Sequence, residues 1–454
     1  MTNQLVFSLL PALVASPAMR AIVDDRARLQ RMLDFEAALT RAEAAVGVVP
    51  ASVVEPIAAA CRAERYNLAA LGEAAAAAGS LSDAVVDALT AEVAKSDKAA
   101  AGCVHWGASG QDVMDTALVL ELRAGIDALT ADINRAIEAF VTLAGRQRRT
   151  PSVARAGLRH VMPVPFGLKV AGYAAALGRS RERLKRLRKD ALVLQLGGTM
   201  GTLAVLGEHG LNVTDRMTAL LDLPAPEAPW HSHRDRLVEV ASAFAILAGT
   251  CGKIARDLAL LMQNEVAEAF ASSTLDNAAG SRLRPANAAA LAITAAKIAP
   301  QLAAIILGAA GQEHESGLGS AQAEWATFPN LALATSAGSL GVADLAQGID
   351  VDPDRMRTNV EMTQGFIMAE AISLALSGKV SHEEALRLVA EASEKSVRDR
   401  RGLQTVLSED ERVTAHLSAP VLSRLFEPMS HQGAAQTFID RLVGPLRAAP
   451  TKRP

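Results

Sequence analysis

Ala117-Leu-Val-Leu-Glu-Leu-Arg-Ala-Gly-Ile-Asp-Ala-Leu-Thr-Ala-Asp-Ile-Asn-Arg-Ala-Ile-Glu-Ala-Phe-Val-Thr-Leu-Ala-Gly-Arg-Gln147 is the stretch that decides the fold. It contains no proline, is rich in the good helix formers alanine and leucine, and places apolar residues on more than one helical face. Three further stretches read the same way: Val164 to Leu194, Arg234 to Phe270 and Asn287 to Ala310. Helices this long and apolar must bury most of their surface, so they pack against one another, and against copies from other subunits, as a bundle. The expected fold class is all-α. Pro-rich Leu223 to Trp230 and Gly-rich Gly197 to Gly207 serve as connectors. On the N-terminal side, Asp24 to Ala45 is an amphipathic helix, and the alanine run Ala74 to Ala78 favours helix. After Gly348 the character changes: Val351-Asp-Pro-Asp354 is a helix start, shorter helices follow, and Thr451 to Pro454 is a basic tail. Three regions are expected, at residues 1–104, 105–347 and 348–454.

Composition narrows the function classes. The 454 residues are 50% hydrophobic but only 3% aromatic, and the formal net charge is -3. Without a basic run, nucleic acid is not an expected partner. Charge, glycine or proline breaks the apolar stretches short of the roughly 20 residues that span a bilayer, so no membrane partner is expected either. The apolar run Leu5 to Ala15 has no positive charge before it, which makes a poor secretory signal and leaves a cytoplasmic location as the expectation. Cys61, Cys103 and Cys251 lack metal-type or redox-type spacing and read as reduced and mostly buried.

Four polar clusters sit at the ends of the long helical patterns. The first, His105-Trp-Gly-Ala-Ser-Gly-Gln-Asp-Val-Met-Asp-Thr116, packs His105, Ser109, Gln111 and Asp112 around two glycines. Ser109 and the free N–H groups of a helix start can cradle a carboxylate, although Ser109 or Asp112 serving as a plain helix cap fits the same residues. The second cluster, Arg155-Ala-Gly-Leu-Arg159-His160, stands at the head of the second long helix. The third is His231-Ser-His233-Arg234-Asp-Arg236, and the fourth, Asp276 to Asn287, holds Ser281, Arg282, Arg284 and Asn287. This many arginines and histidines suits a small substrate with several carboxylates, because a guanidinium grips a carboxylate with two parallel hydrogen bonds. The competing readings are simpler. Arg234-Asp235-Arg236 also fits an ion-paired helix start, and His231-x-His233 has no third ligand arranged for a metal, so no metal is expected. Gln312-Glu-His-Glu315 lacks the second histidine of a zinc helix, and Gly197-Gly-Thr-Met-Gly-Thr202 lacks the strand and lysine of a phosphate loop.

In this order and at these separations the segments resemble the fumarase/aspartase superfamily, and within it the bacterial 3-carboxy-cis,cis-muconate cycloisomerases. The resemblance rests on Met32 to Leu39, His105 to Thr116, Gln195 to Gly198, Trp230 to Glu239, Gln312 to Glu315, and Met362 to Gly365 with Ala369-Glu370. It implies a central long-helix domain, a homotetramer whose active sites form where three subunits meet, and no cofactor. It implies lactonisation of 3-carboxymuconate in protocatechuate breakdown, with an aci-carboxylate stabilised by nearby donors. From their places at the ends of the long helical patterns, the acid/base role is expected of His160 or Ser281. Substrate binding would fall on His105, Ser109, Gln111, Asp112, Arg155, Arg159, His231, His233, Arg234, Arg236, Arg284 and Asn287.

The match has gaps. Gly110 replaces a serine, Ala156 and Pro165 replace threonines, and Arg159 and His233 replace glutamines of the family pattern. The fourth cluster departs most: Ala278-Ala-Gly-Ser-Arg-Leu-Arg-Pro-Ala-Asn287 is shorter than the family's mobile loop and has no lysine. Arginine could replace that lysine's charge but not its geometry. A lyase acting on another polycarboxylate and a non-catalytic tetrameric homologue therefore stand as alternatives.

Overall fold

The structure is a computed structural model that describes residues 15–271, 285–315 and 319–447, and its fold is all-α with two short two-stranded antiparallel sheets. Five helices of 25 residues or more dominate: Gly110–Arg146, Phe166–Asp190, Asp235–Leu261, Pro285–Ala309 and Ser320–Gly348. The first four answer to the four long patterns of the sequence. The fifth was not expected. From Leu331 to Ala346 it is buried on almost every side, so it carries no polar face to betray a helical period, and Pro329 lies inside it.

By contacts the described residues form two compact units, neither continuous in sequence. One draws on 1–133, 180–253 and 291–340, the other on 134–179, 254–290 and 341–454. In the first, Asp24 caps the helix Asp25–Val46 by accepting from the Arg26 N–H, and left-handed Gly47 ends it. That helix buries Leu29, Met32, Leu33, Phe35 and Leu39. Asn67 caps Leu68–Ala78, in which the alanine run forms the last turns. In the second unit Asp352 caps Pro353–Glu361, the helix start read at Val351 to Asp354. Behind it Val360, Ile372, Leu376, Leu388, Leu403 and Leu407 form a core with Val153.

Two expectations need correction. The second polar cluster does not open a helix. It forms a β-hairpin, Pro151–Ala156 paired with Arg159–Pro165, and the helix starts only at Phe166. Its two-residue turn has both φ angles positive, 55° at Gly157 and 61° at Leu158, the form that matches the twist of the flanking strands. Leucine rarely adopts that conformation, and Leu158 is 83% exposed. The apolar stretches also run longer than expected. Asp235–Leu261 and Asn287–Ala309 are long and apolar enough to cross a membrane by length and composition, a test that core and interface helices pass as well. The cysteines are free thiols, with Cys61 and Cys251 buried and Cys103 partly so.

Candidate active site

In the first unit the helix Gly110–Arg146 begins on a reciprocal pair. The Asp112 N–H donates to Ser109 Oγ at 3.3 Å, and the Ser109 N–H donates to Asp112 Oδ2 at 2.9 Å. Ser109 is thus the helix cap, with its hydroxyl proton still available. Asp112 was expected to meet substrate, and its surroundings leave no room for that role. It is fully buried, and Gln195 Nε2 and the Gly197 N–H donate to Oδ1 while the Gly198 N–H donates to Oδ2, each at 2.9 Å. The Gly-rich connector is an anion cradle after all, but its anion is this internal carboxylate. Gly110, where the family pattern has serine, sits against Ser82: a Cβ there would lie 2.3 Å from Ser82 Oγ, so that side chain would have to move. A hydroxyl from a neighbouring helix fills that space.

Arg234, also expected to grip substrate, is 1% exposed and fully engaged. Its Nη1 and Nη2 donate to Asp115 at 2.7 and 2.8 Å, its Nε reaches both Glu324 oxygens at 3.1 and 3.0 Å, and Trp230 lies under its guanidinium at 5.1 Å. Burial alone would lower the Arg234 pKa, but the two carboxylates raise it, and the cation is held. Glu324 is pushed up by burial against the pull of Arg234. The triad ties three long helices at their ends. Gln111 serves the same structure by donating to the His231 carbonyl at 2.9 Å.

Two histidines of this unit remain chemically open. The His231 side chain is buried, and neither ring nitrogen has a hydrogen-bond partner among the described residues. A Cβ at Gly201 would come 2.6 Å from its Cε1, so the ring needs the bare glycine backbone beside it. His105 Nδ1 lies 2.7 Å from Glu36 Oε1. Burial opposes the charged ring, but the Glu36 contact outweighs it and the His105 pKa is raised. His233 is exposed, and Arg236 lies at the surface, donating to Glu227 at 2.7 Å and to the Asp190 carbonyl at 2.5 Å. Asn287 is exposed in the first turn of Pro285–Ala309. Ser281, Arg282 and Arg284 lie outside the described residues.

Glu43 is a second buried carboxyl on the helix that carries Glu36. Burial and then Glu36 push it up to about 9, from an ordinary value of 4.5. The folded state therefore favours its neutral form, and the stability this brings is complete below pH 4.5 and lost as pH rises towards 9. Glu43→Gln keeps the shape and removes the ionisation. Relative to the parent it should gain as much as ~4 kcal/mol at about pH 7.5 and little near pH 4.5. Urea unfolding at both pH values checks this, and an equal difference at the two would contradict it.

In the second unit the hairpin presents the other cluster. Arg155, expected to hold a substrate carboxylate, donates from Nη1 and Nη2 to Glu268 at 2.9 and 2.6 Å. Glu268 is fully buried and also accepts from Asn359 Nδ2 at 2.8 Å. Neither Glu268 nor Asn359 was singled out in the sequence. Glu268 reads as part of a long helix, which in fact ends at Leu261, with Ala267 at φ 51° turning the chain. His160 pairs across the hairpin with Arg155. Partial burial and the neighbouring guanidinium lower its pKa below the ordinary 6.5, and Glu268 opposes them. The result is an exposed, neutral imidazole beside exposed Arg159.

Comparison with known proteins places the chain in a family. Residues 12–302 match the lyase family model, and residues 365–442 match the adenylosuccinate lyase C-terminus. The 3-carboxy-cis,cis-muconate cycloisomerase of Bradyrhizobium diazoefficiens is 53% identical over 96% of this chain and 98% of that protein. The crystal structure of 3-carboxy-cis,cis-muconate lactonizing enzyme from Pseudomonas putida superposes with a TM-score of 0.90 at 42% identity, covering 97% of this chain and 99% of that one. Nitrosuccinate lyase of Streptomyces davaonensis is 37% identical over 97% of this chain and 96% of that protein. The chain is therefore an enzyme of the fumarase/aspartase-type lyase family and belongs, within it, to the 3-carboxy-cis,cis-muconate cycloisomerases.

Proposed function

We propose that the protein converts 3-carboxy-cis,cis-muconate into a carboxymuconolactone, as a step in protocatechuate breakdown. The observation that carries this reading is identity of 53% spread over 96% of the chain to a cycloisomerase. One substrate carboxylate oxygen adds to the conjugated double bond of the same molecule, forming the ring C–O bond. The electron pair moves into the adjacent carboxylate as an aci-carboxylate, and the carbon between then takes a proton from the protein. The enzyme is left to recover that proton from water.

For the described residues the roles divide by availability; Ser281 and Arg284 keep the roles expected from the sequence. His160 and Ser281 are the acid/base candidates. Ser109, His105, His231, Arg159, His233, Arg284 and Asn287 meet the substrate's carboxylates, while Gln111, Asp112, Arg155, Arg234 and Arg236 hold other protein groups and position the rest. The clusters would be assembled from three chains of a homotetramer. Support comes from the helix Asn287–Ala309, whose most apolar window is only 28% buried and which leaves Ile305 47% and Leu307 61% exposed. Sedimentation showing a monomer would remove this part of the reading. Three free thiols fit a cytoplasmic location.

The test is loss of diene absorbance when purified protein meets 3-carboxy-cis,cis-muconate. A second reading, elimination from another polycarboxylate, is favoured by the likeness to nitrosuccinate lyase, and by Arg159 and His233 where the family pattern has glutamine. It predicts no turnover of muconate together with anion-dependent thermal stabilisation, whereas a non-catalytic homologue predicts neither.

A further inference from the structure

The helix Asp25–Val46 carries an unusual polar stripe. Glu36, Thr40 and Glu43, at i, i+4 and i+7, share one face, and each is no more than 1% exposed. Among the described residues Glu36 Oε2, Thr40 Oγ1 and both Glu43 oxygens have no hydrogen-bond partner. Glu36 Oε1 alone is engaged, by His105 Nδ1 at 2.7 Å. A buried carboxyl left unpaired costs several kcal/mol, so a stripe of them is expected only where it does something or holds water.

We propose that Glu36 is a positioning residue for His105: it accepts from Nδ1–H and holds the ring as an imidazolium, whose Nε2–H is the donor that a substrate carboxylate meets, with Thr40 and Glu43 closing the stripe behind it through ordered water. Three observations support this. First, His105 is held in a left-handed backbone conformation at φ 59°, a strain that needs a fixing contact. Second, the ring is only 17% exposed, so the pair is shielded from solvent competition. Third, the neutral form favoured at Glu43 keeps a second charge from forming behind the pair. The charged and titratable groups around the pair are Asp112 and Asp83 beside His105, Cys61 beside Glu36, and Cys103 beside Glu43. Both aspartates favour the imidazolium as Glu36 does, and the thiols are themselves raised by burial. This inference rests on the proposed carboxylate substrate for its consequence, but its geometry stands without it.

The experiment is Glu36→Gln in the full-length protein, read first by NMR titration of the His105 ring protons, assigned by comparison with His105→Asn. The expected result is a His105 midpoint lower than in the parent. With 3-carboxy-cis,cis-muconate as substrate, kcat/KM should fall about tenfold at pH 8, mainly through KM, and no more than about twofold at pH 6, because the lost cation is restored by acid. Glu36→Asp, which keeps the charge but retracts it, should fall between the two. A lower melting temperature with the His105 midpoint unchanged would overturn the proposal and leave Glu36 as packing only. Because the titration needs no substrate, it reads the pair separately from the reaction.

Discussion

Arg234→Ala should destabilise the protein by about 3–5 kcal/mol or abolish its folding, the largest loss of stability expected of any single substitution here. The guanidinium has no exposed surface, and neither do the carboxylates of Asp115 and Glu324 that it bridges. Deleting it leaves two buried anions side by side with neither water nor cation to meet them. It also strips Trp230 of the cation stacked on it at 5.1 Å. Arg234→Lys should recover only part of the loss, since a single ammonium cannot fork to two carboxylates at once. The pH dependence has a definite sign. Glu324 is already raised by burial, and without Arg234 its pKa must rise further, so the variant should lose stability as pH increases through neutrality. Urea unfolding at about pH 6 and pH 8 measures both effects. A loss under about 1 kcal/mol would mean that the triad is dispensable.

His160→Ala should reduce kcat by about a hundredfold or more while leaving the melting temperature close to that of the parent. The ring is exposed at the hairpin and has no hydrogen bond among the described residues to lose, so a fall in activity cannot be blamed on unfolding. A proton-donating His160 acts as the imidazolium, and burial and Arg155 lower its pKa, so kcat should fall as pH rises through a limb below the ordinary 6.5, and that limb should vanish in the alanine variant. Ser281→Ala is the companion experiment. If both variants keep kcat within a few-fold of the parent, neither residue moves the proton.

The long helices were legible because their apolar residues recur through 25 residues or more, a signal that survives errors at either end. The hairpin at Pro151 to Pro165 was not: its strands of six and seven residues contain three prolines and no clean alternation. Ser320–Gly348 was hidden for the opposite reason, burial on nearly all sides. The candidate site was legible as a set of clusters but not as a set of roles. Locally, Arg234 fits a substrate grip or an ion-paired helix start, and Asp112 a site residue or a plain cap. What claims them lies far away in the chain: Glu324 is 90 residues from Arg234, and Gln195 is 83 residues from Asp112. No local spacing encodes such partners. Glu36 shows the same limit, since its place in an ordinary amphipathic helix gives no hint of His105, 69 residues on.

Conversion of 3-carboxy-cis,cis-muconate in deuterium oxide, followed by proton NMR, tests the central claim most directly. Intramolecular addition with protonation by the protein predicts a carboxymuconolactone carrying one deuterium at the carbon next to the carboxylate, formed at a rate proportional to enzyme. Unchanged muconate after prolonged incubation with folded protein, or a product without that deuterium, would contradict it.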